Sequence, residues 1–313
     1  MKCTIGIDLG GTVIKIGIVR DGKLLETVRI PANSSSGLAP SLPVITEAIE
    51  GLLSRHGIAG PDAVGLAFPG IVDVSKGRAT GTNAKYSDAP SIDLESWAAG
   101  NWPGTRFFID NDARMATVGE WKAGAGAGHG NIVMMTIGTG IGTGAVIDGR
   151  LIYGKNWCAG ALGGHMIVDY RGRRCSCGNV GCVEAMASSF FLPEIIAGNS
   201  GLDEEFRNDS DNRNFKTLFG KYAAGDRNVK AVVEYCMDVW SAAVVNYVHA
   251  YDPEIVILGG GIMKSADIII PYVSEKVNSL VFRAGNAGKV DIVPAELGDD
   301  AAIIGADFYL NKE

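Results

Sequence analysis

No stretch of this 313-residue chain stays apolar for the roughly 20 residues that a membrane-spanning helix requires. Basic runs are missing as well. With 28 Lys and Arg against 35 Asp and Glu, the formal charge is −7, which argues against nucleic acid or an anionic membrane as a main partner. Met1-Lys2 passes straight into Cys3–Asp8, too short for the apolar core of a secretory leader, so no leader is expected. Two nucleotide-binding signatures are also absent. There is no G-x-x-x-x-G-K-[ST], and no G-x-G-x-x-G opening a strand–helix–strand unit, so Walker-type and dinucleotide-binding readings are disfavoured.

What is present is glycine, 43 residues of it, in a chain that is 47% hydrophobic, a balance that suits an α/β protein with many tight turns. The length predicts about two domains, each large enough for its own core. Cys3–Asp8 and Ile14–Arg20 read as buried strands, and a turn at Asp21-Gly22 leads to a third, an opening β-meander. Val44, Ile45, Ala48, Ile49, Leu52 and Leu53 form a helical stripe within Ser41–His56. Ala63–Phe68 and Arg106–Ile109 read as strands and Ala113–Lys122 as a helix, which puts Asp112 at a strand-to-helix junction. Ala123–Gly130 is a glycine-rich boundary candidate, and after it the opening pattern recurs. Strand Asn131–Ile137, loop Gly138–Gly144, strand Ala145–Ile147, turn Asp148-Gly149 and strand Arg150–Tyr153 follow one another. A long helix over Asn228–Ala250, a strand Glu254–Leu258 and a final helix Asp300–Leu310 complete the pattern.

The sharpest local signal is His165 followed by Cys175, Cys177 and Cys182, spaced H-x9-C-x-C-G-N-x-G-C. Three thiolates and an imidazole are the donor set of a closed tetrahedral Zn2+ site, and Gly178 and Gly181 let the backbone turn around an ion. Buried core cysteines are the alternative. The remaining cysteines, Cys3, Cys158 and Cys236, fall in apolar or helical settings, so reduced thiols and a cytoplasmic location are expected.

Three glycine segments read as phosphate or nucleotide contacts. Asp8, Gly10, Gly11, Thr12 and Lys15 place a carboxylate, two glycines, a hydroxyl and an ammonium at a hairpin tip. There Asp8 could hold a hydrated Mg2+, and Lys15 could face phosphate or be a solvated strand residue. Gly138, Thr139, Gly140, Gly142 and Gly144 repeat that chemistry, with glycines at every second position where an ordinary strand would be weakened. Gly259, Gly260 and Gly261 after a buried strand would let a base or ribose pack on backbone, or would simply open a helix.

In this order, the motifs resemble the ROK family of sugar kinases, within the actin-like/hexokinase superfamily. They are D-L-G-G-T at Asp8–Thr12, F-P-G-I-V-D at Phe68–Asp73, Thr82-Asn83, D-N-D-A at Asp110–Ala113, G-T-G-I-G-T-G at Gly138–Gly144, the His/Cys knuckle with G-C-V-E-A, and L-G-G-G at Leu258–Gly261. The resemblance covers nearly the whole chain. It implies an α/β, two-domain actin-like ATPase (ribonuclease H-like) fold with an interdomain cleft and a zinc knuckle. Residues 1–112 plus 299–313 would form the first domain and 113–298 the second.

The resemblance also implies transfer of the γ-phosphoryl group of ATP, with Mg2+, to a sugar hydroxyl, usually O6 of a hexose. Asp112 matches the general base; as a residue, it could equally cap the helix that follows. Gly70, Asn83, Asn111, His165 and Glu184 match sugar-binding positions, and His165 would also ligate a structural zinc. A homodimer is expected by the same analogy.

One position departs from the family pattern. The family's sugar kinases carry E-x-G-H, and here Leu162 stands where the glutamate belongs. A sugar hydroxyl that lost that acceptor would be weakened by roughly 1–3 kcal/mol, so an N-acetylated, deoxy or otherwise altered sugar enters consideration. A catalytically silent sugar sensor, another phosphotransferase of the superfamily and a polyphosphate donor are the remaining alternatives. Retention of Asp112 and both glycine loops weighs against the sensor, and so does a start at the first loop that leaves no room for the helix-turn-helix of the family's repressors.

Overall fold

The computed structural model describes residues 2–82, 85–282 and 288–309. It divides into two compact units, Met1–Gly128 with Leu151–Ala161 and Glu296–Glu313, and His129–Arg150 with Leu162–Ala295.

The first unit opens with β1 (Cys3–Leu9), β2 (Val13–Arg20) and β3 (Lys23–Pro31), then α1 (Leu42–Arg55), β4 (Ala63–Phe68), β5 (Gly70–Asp73), β6 (Arg78–Thr82), α2 (Leu94–Asn101), β7 (Arg106–Asn111) and α3 (Asp112–Ala123). Its main sheet has the order β3-β2-β1-β4-β7, antiparallel through the hairpins and parallel from β1 onward. β4 is buried at every position, as a parallel strand covered on both faces should be. Ile5, Ile7, Ile14, Ile16 and Ile18 pack with Ile45, Ile49 and Leu52 of α1, the face that the helical stripe predicts.

The second unit carries β8 (Ile132–Ile137), β9 (Ile141–Ile147), β10 (Arg150–Leu151), α4 (Val183–Ala187), α5 (Leu192–Ala197), α6 (Glu204–Asn208), α7 (Phe215–Tyr222), α8 (Arg227–Tyr251), β11 (Ile255–Gly259), α9 (Ala266–Leu280) and β12 (Asp291–Pro294). The sheet order β10-β9-β8-β11-β12 repeats that of the first, hairpin strands on one side and parallel strands on the other. The internal duplication expected from the sequence is therefore a duplication of sheet topology.

α10 (Ala301–Phe308) returns to the first unit, where it packs on α3. The two helices meet backbone to backbone: a Cβ on Gly119 would lie 2.1 Å from the Ala301 carbonyl oxygen, and one on Gly305 2.0 Å from that of Met115. Buried Glu120 accepts hydrogen bonds from the backbone N–H groups of Glu296 (3.1 Å) and Leu297 (2.7 Å) and so fastens the returning segment. These contacts place α3 in the first unit and correct the boundary expected after residue 112.

The loop expected over Gly138–Gly144 is also shorter than its composition implies. β9 begins at Ile141, and Gly142 and Gly144 pair with Thr136 and Met134 of β8. The cross-strand ladder outweighs the weak strand propensity of glycine, and only Gly138–Gly140 make the turn. Among the described residues no helix is long and apolar enough to cross a membrane.

Candidate active site and metal centre

In the first unit, β1 and β7 flank β4 and run parallel to it, so the carboxylates of Asp8 and of Asp110 and Asp112 gather at the same end of the sheet. Asp112 is the first residue of α3, and the cap belongs to its neighbour. Asn111 accepts the Arg114 backbone N–H on its side-chain oxygen (3.1 Å) while its amide donates to Asp112 Oδ1 (3.0 Å) and to the Gly70 carbonyl (3.0 Å). The Ala113 N–H also donates to Asp112 Oδ1, at 2.8 Å. One carboxylate oxygen is thus fixed by two donors. Burial raises the Asp112 pKa, against the lowering pull of the Ala113 N–H and the Lys85 ammonium. Burial and the neighbouring Asp112 push Asp8 up to about 7, with Lys15 opposing. Two carboxylates that disfavour each other's charge are suited to a cation.

Behind them Asp110 forms a buried hub. Its Oδ1 accepts from the Asn111 N–H (2.7 Å) and Arg114 Nη1 (2.8 Å), and its Oδ2 from the hydroxyls of Tyr153 (3.0 Å) and Tyr309 (2.6 Å). Arg114 also donates to the Trp157 carbonyl and lies under the Tyr153 ring, 4.9 Å from its centroid. Sequence reading singled out neither Arg114 nor the tyrosines, which sit far apart in the chain.

The first glycine turn is pinned by its carbonyls. Tyr86 donates its hydroxyl to the Gly10 oxygen (2.8 Å) and Ser34 its hydroxyl to that of Gly11 (2.9 Å). A side chain on Gly10 would strike the Val13 oxygen at 2.4 Å. Lys15, opposite Asp8 in the hairpin register, is taken up elsewhere: its ammonium pairs with Asp300 and donates to the Asp299 carbonyl at 3.2 Å. Gly70 lies in β5 against the Gly81 carbonyl, 2.3 Å from where a Cβ would be. Asn83 lies outside the described residues.

In the second unit the turn Gly138–Gly140 is fastened in the same manner. The N–H groups of Ser189 and Phe190 donate to the Gly138 and Thr139 carbonyls, both at 3.1 Å. Glu184, in the first turn of α4, accepts the Ile141 N–H at 2.9 Å, so a residue expected at the sugar is tied to this glycine turn. Gly260 adopts φ +90, and a Cβ on it would lie 2.3 Å from the Ile137 carbonyl oxygen, whereas a Cβ on Gly261 would meet nothing within 4 Å. Leu162 is exposed, and the Gly163 N–H that follows donates to Thr143 Oγ1 of β9 at 2.8 Å.

His165, Cys175, Cys177 and Cys182 converge with one ligand atom each, all within 4.8 Å of one another. His165 Nδ1 is 3.7 Å from Cys175 Sγ, and Cys177 Sγ 3.6 Å from Cys182 Sγ. Tetrahedral Zn–S bonds of about 2.3 Å require sulfur separations of about 3.8 Å, so the donor set and its spacing fit zinc. The backbone makes the cage. Single antiparallel bridges join Ile167 to Cys182 and Arg174 to Val180. Gly178 and Gly181 take φ +96 and +73, and a Cβ on Gly181 would lie 1.6 Å from the Asp169 carbonyl oxygen.

The ROK family profile matches residues 4–313. The chain belongs to the ROK family. This ROK chain is 33% identical over 308 residues to the glucokinase of Thermotoga maritima, covering 96% of one chain and 95% of the other. The structure of a ROK family glucokinase from Streptomyces griseus, in complex with glucose and AMPPNP, superposes with a TM-score of 0.82 at 25% identity over 98% of both chains. The xylose repressor of Bacillus spizizenii is 28% identical over 317 residues, which span 96% of this chain and 75% of the repressor. The α/β architecture, two sheets of like order each with crossover helices, is that of the ROK sugar kinases and their actin-like ATPase fold.

Proposed function

We propose that this ROK chain is an ATP-dependent sugar kinase that transfers the γ-phosphoryl group to a hydroxyl, O6 by preference, of a hexose or hexose derivative. The observation that carries the reading is the fixed Asp112 carboxylate, with Oδ1 held by Asn111 and Ala113 and a pKa raised by burial. A base so placed accepts the sugar hydroxyl proton as the oxygen attacks phosphorus, and typically contributes 10²–10⁴-fold. Gly70, Asn83, Asn111, Glu184 and His165 are assigned to sugar hydroxyls. The glycine turns at Gly10-Gly11-Thr12, Gly138–Gly140 and Gly259–Gly261 are assigned to the nucleotide, with Gly142 in the strand that follows. Charge neutralisation on the phosphates supplies most of the remaining acceleration.

Mg2+ would be held, through water, by Asp8, whose charge is disfavoured beside Asp112, and would neutralise the donor's phosphate oxygens. Zinc would be structural, held by His165 Nδ1 and the three thiolates, which fill four positions and leave none open. Bound there, it would orient the His165 ring toward the sugar. A cytoplasmic homodimer completes the proposal.

Leu162 supports a second reading, a sugar-binding protein without turnover, and the similarity to a xylose repressor favours it too. ADP release from MgATP across hexoses, N-acetylhexosamines and deoxyhexoses, with Asp112→Asn as control, separates the two. Sugar-dependent release that the variant loses supports the kinase. Tight sugar binding with no release, from ATP or as phosphate transfer from polyphosphate, supports the sensor.

A further inference from the structure

The cation expected to face phosphate, Lys15, is neutralised by Asp300, and its cross-strand partner in β3, Arg29, pairs with Asp299 at 3.3 Å. A different ammonium occupies the glycine turn. Were Gly11 to carry a Cβ, that atom would lie 3.0 Å from Lys85 Cε and 3.1 Å from Lys85 Nζ, so the end of this side chain rests on the turn. Its placement is enforced by the next residue. Tyr86 is fully buried at φ +52, with its N–H on the Ser34 carbonyl (2.7 Å) and its hydroxyl on the Gly10 carbonyl (2.8 Å). A left-handed tyrosine is a strained arrangement, held here by a hydrogen bond at each end.

The turn itself is polarised. The Gly10 and Gly11 carbonyls are consumed by Tyr86 and Ser34, and the Thr12 carbonyl by the Ala32 N–H at 2.9 Å. The N–H groups of Gly11 and Thr12 donate to no protein acceptor among the described residues. Nor does a carboxylate come within ion-pair distance of Lys85 among those residues. Unspent donors and an unspent ammonium at one glycine turn make an anion site.

We propose that Lys85 contacts the transferring phosphoryl group of the donor, as the point charge that neutralises it beside Asp112. The inference rests on the kinase reading and adds a catalytic residue that no motif marks. Its second support is electrostatic: the Lys85 ammonium is the side-chain cation that opposes the upward push of burial on Asp112. The same charge therefore acts on the base and at the phosphate turn.

The test compares wild type, Lys85→Met and Lys85→Arg with MgATP and the best sugar substrate. Lys85→Met should lower kcat by about 10²–10³-fold, the effect of removing one transition-state donor, while the sugar KM changes less than about threefold. Lys85→Arg, which keeps the charge, should recover at least about tenfold of that loss. The acid limb of the pH profile should move up in Lys85→Met, because burial of Asp112 is then opposed by uncharged donors, chiefly the Ala113 N–H and the Asn111 amide, while Asp8 nearby is faced by Lys15 and Asp299. Calorimetry with AMPPNP and AMP gives a readout free of turnover, in which Lys85→Met should weaken AMPPNP and leave AMP unchanged.

A Lys85→Met enzyme with wild-type kcat and AMPPNP affinity overturns the proposal, as does equal weakening of AMPPNP and AMP. If the wild type releases no ADP but its AMPPNP affinity depends on Lys85, the kinase reading fails while the phosphoryl contact stands.

Discussion

The amide of Asn111 donates to the carboxylate of Asp112 across 3.0 Å, from a residue that also caps the helix Asp112 begins. Base, cap and sheet edge are therefore one construction. Asp112→Asn should leave the fold intact, since asparagine can still accept the Ala113 N–H, and should lower kcat by about 10²–10⁴-fold. Steady-state ADP release and a melting curve check both halves. Loss of fold rather than of turnover would remove Asp112 from catalysis.

Arg114 is fully buried, and its pairing with Asp110 lies beneath the site. Arg114→Met should cost about 3–5 kcal/mol by stranding the Asp110 charge, a fall in Tm of about 10 °C. The double variant with Asp110→Asn should recover much of that loss, because the stranded charge is removed too. Scanning calorimetry on the three proteins measures it.

The metal centre predicts a linked loss. Cys177→Ser should lower bound zinc, read by atomic absorption, together with sugar affinity, read by calorimetry. Gly181→Ala should do the same with all four ligands intact, because its methyl group would meet the Asp169 carbonyl. Unchanged sugar affinity in zinc-free protein would sever the knuckle from the sugar pocket.

Asp8 gives stability a pH dependence. Its folded pKa of about 7 exceeds the ordinary 3.8, so the folded state holds a proton that the unfolded chain has lost across that window. Stability from this group falls as pH rises between those values, and the deficit is complete above them. Asp8→Asn should therefore raise Tm at about pH 8 and leave it little changed at about pH 4. Added Mg2+ should raise Tm of the wild type at the higher pH more than that of the variant.

Much of this was legible from local pattern. The hairpin repeat announced two sheets of like order, and the knuckle spacing announced the four-atom cage of His165 and three cysteines. What escaped were relationships over long separations. Nothing near Lys15 in the chain announces that Asp300 will neutralise it, and Ala84-Lys85-Tyr86 carries no motif. The Asp110 hub joins side chains 43 and 199 residues away, a distance no periodicity can bridge. The glycine alternation after Gly140 was misleading because strand pairing, which depends on a partner, decided the outcome.

The return of α10 to the first unit has a consequence for biosynthesis. Gly305 meets the backbone of α3, and Thr4 donates to Asp307 at 2.5 Å, so the unit that begins the chain lacks a helix until residues near 308 leave the ribosome. The second unit has all its strands once Pro294 has emerged. Folding during synthesis should thus run against chain order, with the opening β-meander waiting for its last helix while the metal-bearing unit matures first.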